Sequence, residues 1–140
     1  APAYGEDETT TIALLADLRR ALRDADVDVA IVADEYCNGL GDVRRFVEAG
    51  AVDLIQIKMP DLGAITNALE AAAICRQGGL GVFIGGSCAE TDLGGEVSAL
   101  VGLAVGADQI LAKPGMGVDE GVAIVRNTMA RALLAWHLDA

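Results

Sequence analysis

Ile12, Leu15, Leu18 and Leu22 recur at intervals of three and four residues, the stripe a helix buries along one side, and Thr9 or Thr10 stands where a hydroxyl can cap its start. This pattern predicts a helix running to about Arg23, broken by the aspartates between 24 and 28. The periodicity then changes. Asp28 to Ala33 is a short, nearly continuous apolar run, as expected of a strand covered on both faces in a parallel sheet. A helix from Asp42 to about Ala49 follows, closed by Gly50. The alternation repeats three more times: strand Leu54 to Ile57 and helix Ala64 to Arg76; strand Gly81 to Ile84 and helix Leu93 to Val105; strand Gln109 to Ala112 and helix Glu120 to Trp136.

Strands alternating with helices at this spacing imply right-handed βαβ crossovers and a parallel sheet. Asp34, Lys58, Ser87 and Lys113 end the successive strands, 24, 29 and 26 residues apart, which is one βα unit each. The expected class is α/β, with four βα units preceded by a helix. Because about eight strands are needed to close a barrel around side chains, the chain reads as half of a TIM-like (β/α) barrel. Side chains at the C-terminal ends of barrel strands converge on one face, where loops build an active site. Both lysines of the chain sit at such ends, whereas all eight arginines fall on predicted helices or helix ends.

The strand ends carry the candidate chemistry. Lys58 follows Ile55, Gln56 and Ile57, and Pro60 stops its strand. Apolar walls and a nearby cation would disfavour the ammonium form and make Lys58 a base near neutral pH; a lysine snorkelling to a solvated rim is the plainer alternative. Asp34 and Glu35 point to opposite sides of a strand, so only one faces the barrel axis. Asp34 is the better candidate for a hard cation such as Mg²⁺, with a loop cap as its alternative. Gly85-Gly86-Ser87-Cys88 enters a helix, and its amides suit an anionic group, or simply a tight turn capped by Thr91 or Asp92. Cys88 has no histidine to activate it and reads as a polar contact. His137 reads as a surface or packing residue. The segment from Lys113 to Gly121 lacks the spacing of a nucleotide-binding phosphate loop.

Composition narrows the partners. Of 140 residues 53% are apolar, with a mean hydropathy of +0.41, so the chain either buries a large core or leaves apolar surface for a partner. A formal charge of -11 argues against nucleic acid and anionic membrane. Acidic residues with arginine preferred to lysine also suit a solution of high salt. The three cysteines, Cys37, Cys75 and Cys88, have no metal-type spacing and point to a reducing, cytoplasmic setting. No segment has the pattern of a signal peptide or a membrane span.

Four motifs taken in order, VADEYCNG (32–39), QIKMPDLG (56–63), GGSCAETD (85–92) and KPGMGVDEG (113–121), resemble the C-terminal part of methylaspartate ammonia-lyases, members of the enolase superfamily. The resemblance covers essentially the whole chain, residues 1–140. It implies an enolase-type barrel and an enzyme that eliminates ammonia from (2S,3S)-3-methylaspartate to give mesaconate, a step in amino-acid degradation, with Mg²⁺ and a monovalent cation, K⁺. By the same resemblance Asp34 is one of three carboxylate ligands of Mg²⁺, Lys58 is the base that removes the C3 proton, and Gln56, Ser87, Cys88 and Leu111 touch the substrate. Ser87 stands where threonine is usual, Ala89 where asparagine is common, Met59 where threonine is common and Tyr36 where tryptophan is common. The N-terminal capping domain, the first barrel strands, the other two metal carboxylates and a histidine acid/base would come from elsewhere. The chain is therefore expected to be inert alone, to be completed by an N-terminal chain or segment, and to be part of an oligomer. Another enolase-type acid/base reaction, such as a racemase or dehydratase, and a non-catalytic, self-associating half-barrel are the alternatives.

Overall fold

The computed structural model describes residues 2–87, 90–112 and 116–138. Helix α1 (Glu8–Asp24) is capped by Asp7 rather than by Thr9 or Thr10: the Asp7 carboxylate accepts from the Thr10 N–H at 2.8 Å. An aspartate satisfies the same orphan donor as a hydroxyl and adds a negative charge at the positive end of the helix. Strand β1 (Val32–Ala33) is shorter than the apolar run implied. The chain leaves α1 by a turn in which Asp26 has φ 55° and the Val29 N–H bonds to Val27 O, so it joins the ladder only after Ile31.

The remaining elements are α2 (Leu40–Ala49), β2 (Leu54–Ile57), α3 (Met59–Leu62), α4 (Ile65–Gln77), β3 (Gly81–Ile84), α5 (Asp92–Ala104), β4 (Gln109–Ile110) and α6 (Val118–Leu138). The one-turn helix α3 does not follow from the hydrophobic pattern. Pro60, read from the sequence as a strand stop, also pre-sets the first helical turn, where its missing N–H costs nothing. Gly63, at φ 78°, closes that turn.

The four strands are parallel in the order β1-β2-β3-β4. Their side chains separate into two faces by strict alternation. Ile31, Ala33, Ile55, Ile57, Val82 and Ile84 pack outward with Leu15, Phe46 and Cys75 into the core beneath the helices. Full burial of a side chain the size of Phe46 or Ile55 contributes about 1.5–3 kcal/mol each. Val32, Gln56, Phe83 and the strand-end residues Asp34 and Lys58 belong to the opposite, inner face.

The N-terminal ends of the strands are tied by two copies of one device. Asp53, just before β2, accepts from the Ile31 N–H at 2.9 Å through Oδ2 and from Arg19 and Arg23 of α1 at 2.9 and 2.8 Å through Oδ1. Asp108, just before β4, accepts from the Val82 N–H at 2.7 Å and pairs with Arg76 of α4 at 3.0 Å. Arg19 also donates to Gly50 O, and Arg76 to Gly106 O. Both glycines are left-handed, with φ 56° and 59°. Each clamp thus joins two consecutive strands to the helix before the first of them.

Candidate active site

The opposite ends of β1 and β2 bring Asp34 and Lys58 together. Lys58 Nζ lies 2.6 Å from Asp34 Oδ1 and 3.4 Å from the Asp34 carbonyl, with Asp61 of α3 at 4.0 Å. The pairing follows from the register: Val32 faces Leu54, so Asp34 and Lys58 rise on the same inner side, separated by one alternation. Asp34 Oδ1 is buried, and beyond the Lys58 ammonium no hydrogen-bond donor reaches it among the described residues.

The turn after Asp34 is held from several directions. Tyr36 adopts φ 56°, an unusual conformation for a bulky residue, and stacks on Tyr4 with ring centroids 5.8 Å apart. Its hydroxyl donates to Glu6 O at 3.2 Å. The buried Cys37 thiol lies 3.0 Å from the Asp34 carbonyl and 3.8 Å from the Gln56 carbonyl, so its one proton has the nearer Asp34 carbonyl as first acceptor. Burial pushes the Cys37 thiol up to about 12, so it stays protonated and acts as a donor. Sequence reasoning assigned Cys37 and Tyr4 no part here: the Tyr4–Tyr36 stack joins residues that no local pattern relates, and the Cys37 contact with Asp34 depends on a turn that no hydrophobic pattern marks.

The protonation of Lys58 corrects the sequence expectation. Burial alone would lower its pKa, but the hydrogen bond and charge of Asp34, aided by Cys37 and Asp61, outweigh it, and the net shift is upward. The direction is thus opposite to the lowering expected from apolar walls and a nearby cation. The expected apolar crowding is real but is overridden by the carboxylate 2.6 Å away.

The other expected site residues distribute along the same rim. Gln56 is buried on the inner face, and Ser87 and Leu111 are half-buried just beyond β3 and β4. Cys88, Ala89 and Lys113 lie outside the described residues. The glycine-rich turn before α5 already holds a carboxylate: a Cβ at Gly86 would stand 2.8 Å from Glu90 Cδ. Thr91 occupies the α5 N-cap position without a side-chain cap hydrogen bond. A cleft of about 370 Å³ runs along the inner face past Val32, Asp34, Gln56 and Phe83.

The chemistry of Asp34 can be weighed against that of a metal ligand. A buried carboxylate oxygen with no other donor suits a hard cation. No group of three His, Cys, Asp or Glu residues able to hold a metal occurs among the described residues.

The sequence model of the methylaspartate ammonia-lyase C-terminus matches residues 1–137. The chain belongs to the methylaspartate ammonia-lyase family. Within this family of the enolase superfamily, it is 52% identical over 119 residues to the methylaspartate ammonia-lyase of Haloarcula marismortui, an alignment covering 85% of this chain and 28% of that protein. The Mg-complex crystal structure of β-methylaspartase from Clostridium tetanomorphum superimposes with a TM-score of 0.93 at 43% identity, covering 99% of this chain and 34% of that one. The Citrobacter amalonaticus methylaspartate ammonia-lyase structure containing (2S,3S)-3-methylaspartic acid gives a TM-score of 0.88 at 38% identity, covering 93% and 32%. The chain thus spans about a third or less of the length of these relatives, and its four parallel strands match part of their barrel. Among the described residues no helix is long and apolar enough to cross a membrane.

Proposed function

We propose that this chain, residues 1–140, is the C-terminal half-barrel of a cytoplasmic carbon–nitrogen lyase that eliminates ammonia from (2S,3S)-3-methylaspartate to give mesaconate. The observation that carries the reading is the Asp34–Lys58 pair, a carboxylate and an amine 2.6 Å apart at adjacent strand ends. Lys58 Nζ takes the C3 proton; the electron pair left at C3 forms the C2–C3 double bond as the C2–N bond breaks and ammonia leaves. For this Lys58 must first leave Asp34 and give one proton of its ammonium to water, so that Nζ carries a lone pair before the substrate reacts. Asp34 would be one ligand of Mg²⁺, which when bound withdraws charge from the substrate carboxylate and stabilises the enolate-like species beside it. The remaining ligands would come from a chain or segment that completes the barrel. K⁺ enters this reading through the family alone, without an assigned residue.

Gln56, Ser87, Cys88 and Leu111 are proposed to hold the substrate over Lys58. In the active enzyme, Lys58→Ala lowers mesaconate formation from the (2S,3S) substrate by about 10²–10⁴-fold, the span of a lost general base, while the circular dichroism spectrum is unchanged. Retained turnover would remove Lys58 from the mechanism. Amination of mesaconate separates this reading from a racemase or dehydratase, which cannot form that bond. The chain alone is expected to be inert and to gain activity on addition of the completing segment. Turnover by the isolated chain would end the requirement for one.

A further inference from the structure

The inner face of the sheet carries its side chains in layers, and at one position the layer has none. Along β3, Phe83 and the residue two places on, Gly85, fall on the same side as Gln56 and Lys58. The β2–β3 register ends at Ile57 opposite Ile84, and the Gly85 N–H still donates to Ile57 O at 2.9 Å. Continued by one residue, that register sets Gly85 beside Lys58, one layer above the Gln56–Phe83 pair. A Cβ at position 85 would stand 2.5 Å from Gln56 Cγ and 2.8 Å from Gln56 Cδ, and closer still to Nε2. Such approaches force something to move. The atoms met include the middle of the Gln56 side chain as well as its tip, and Gln56 is only 9% exposed. The side chain thus leaves its own layer and lies across β3, through space that only glycine leaves open.

We propose that Gly85 is a positioning residue for Gln56: by lacking a side chain it admits the Gln56 amide to the layer of Lys58, where it meets the polar groups of an amino-acid substrate. The proposal rests on the reading of Gln56 as a substrate contact. The amide brings two donors and an acceptor, and displacement by about an ångström is enough to forfeit such a contact. The sequence shows Gly85 only as part of a tight turn. Its role in the site comes from the neighbouring strand.

A double-mutant cycle on the active enzyme containing this chain tests the idea, with KM and kcat for 3-methylaspartate, thermal midpoint, and the ¹⁵N side-chain amide resonances of Gln56 as readouts. Gln56→Ala is expected to raise KM about tenfold, the effect of one good hydrogen bond, with a smaller change in kcat. Gly85→Ala is expected to raise KM comparably and to shift the Gln56 amide resonances. The double variant should be no worse than Gln56→Ala alone, because alanine at 56 leaves nothing for the new methyl to displace. If Gly85→Ala does not fold, the same logic requires Gln56→Ala to restore folding in the double variant. Multiplicative effects on KM, unshifted resonances, or no restoration would overturn the proposal. Gln56→Ala with KM unchanged would instead sink the substrate contact, and the resonances would show separately whether Gly85 still positions the amide.

Discussion

The two ends of the same four-stranded sheet treat charge in opposite ways. At the N-terminal ends, Asp53 and Asp108 are engaged from within: each carboxylate takes a backbone N–H and an arginine, and an arginine of each clamp also reaches a glycine carbonyl. At the C-terminal ends, Asp34 Oδ1 is buried against a lysine with no other donor among the described residues, and Tyr36 holds a left-handed backbone two residues away. Groups saturated internally stabilise the fold and have little left for a ligand. Groups held in place but under-satisfied cost stability and keep capacity for one. The lower rim of this sheet is therefore built to hold it together, and the upper rim carries the under-satisfied carboxylate on which the proposed function draws.

The largest test of that contrast is a pair of deletions. Asp53→Ala removes the acceptor of the Ile31 N–H and of two arginines, and should lower stability in urea by about 2–3 kcal/mol, as for charged hydrogen bonds lost from partly buried sites. Asp34→Ala removes one partly exposed ion pair and should cost less than about 1 kcal/mol, even though the proposed mechanism requires it. Equal losses would erase the distinction between the two rims.

Acid gives the next largest effect. For Asp53, burial alone would raise the pKa, but the Ile31 N–H and the guanidinium groups of Arg19 and Arg23 outweigh it and hold it below the usual range. The Val82 N–H chiefly, and Arg76 after it, do the same for Asp108 against a smaller burial effect. Both folded values lie below the unfolded one of about 3.9. The stability they contribute is thus complete above that pH and is lost as pH falls through the folded values. Urea midpoints measured from pH 6 downward at constant ionic strength should drop below about pH 4, and Asp53→Asn should flatten the drop. An unaltered slope in that variant would mean other carboxylates dominate.

The smallest effect sharpens the upper rim. Tyr36→Gly relieves a left-handed conformation that costs about 1–2 kcal/mol and forfeits stacking on Tyr4 that contributes about 0.5–1.5 kcal/mol. The thermal midpoint should move little. A large fall would show that the Tyr4–Tyr36 contact is part of the scaffold rather than of the binding rim.

Most of the architecture was legible in the chain because its signals are local. Four apolar runs and the helical stripes between them mark every strand and every long helix, and Leu54–Ile57 and Gly81–Ile84 fall where the pattern sets them. What the pattern overstates is β1, and also β4, which ends at Ile110 rather than Ala112, since an apolar residue such as Val29, 60% exposed, signals strand whether or not a partner is in register. What it omits is α3, a single turn too short for any periodicity. Asp34 and Lys58 could be nominated by their places at strand ends and Gln56 through the family resemblance, but the direction of the Lys58 shift could not. Its apolar neighbours in sequence argue for a lowered pKa, and a carboxylate 24 positions away turns the shift upward.

By itself the sequence determined the order of elements, the alternation that turns Asp34, Gln56 and Lys58 to one face, and, through four motifs, the family. These depend on residues within a few positions of one another, where backbone geometry dictates what shares a side. Only the tertiary structure decided that Asp34 and Lys58 pair, that Cys37 ties down the Asp34 carbonyl, that Asp53 and Asp108 repeat one clamp, and that Gln56 lies in the space Gly85 leaves. Apart from the Cys37 contact, which closes the turn after β1, each of those contacts joins adjacent strands, or a strand to a helix. Their energies are set by inter-strand register and burial, quantities that exist only once the chain has folded.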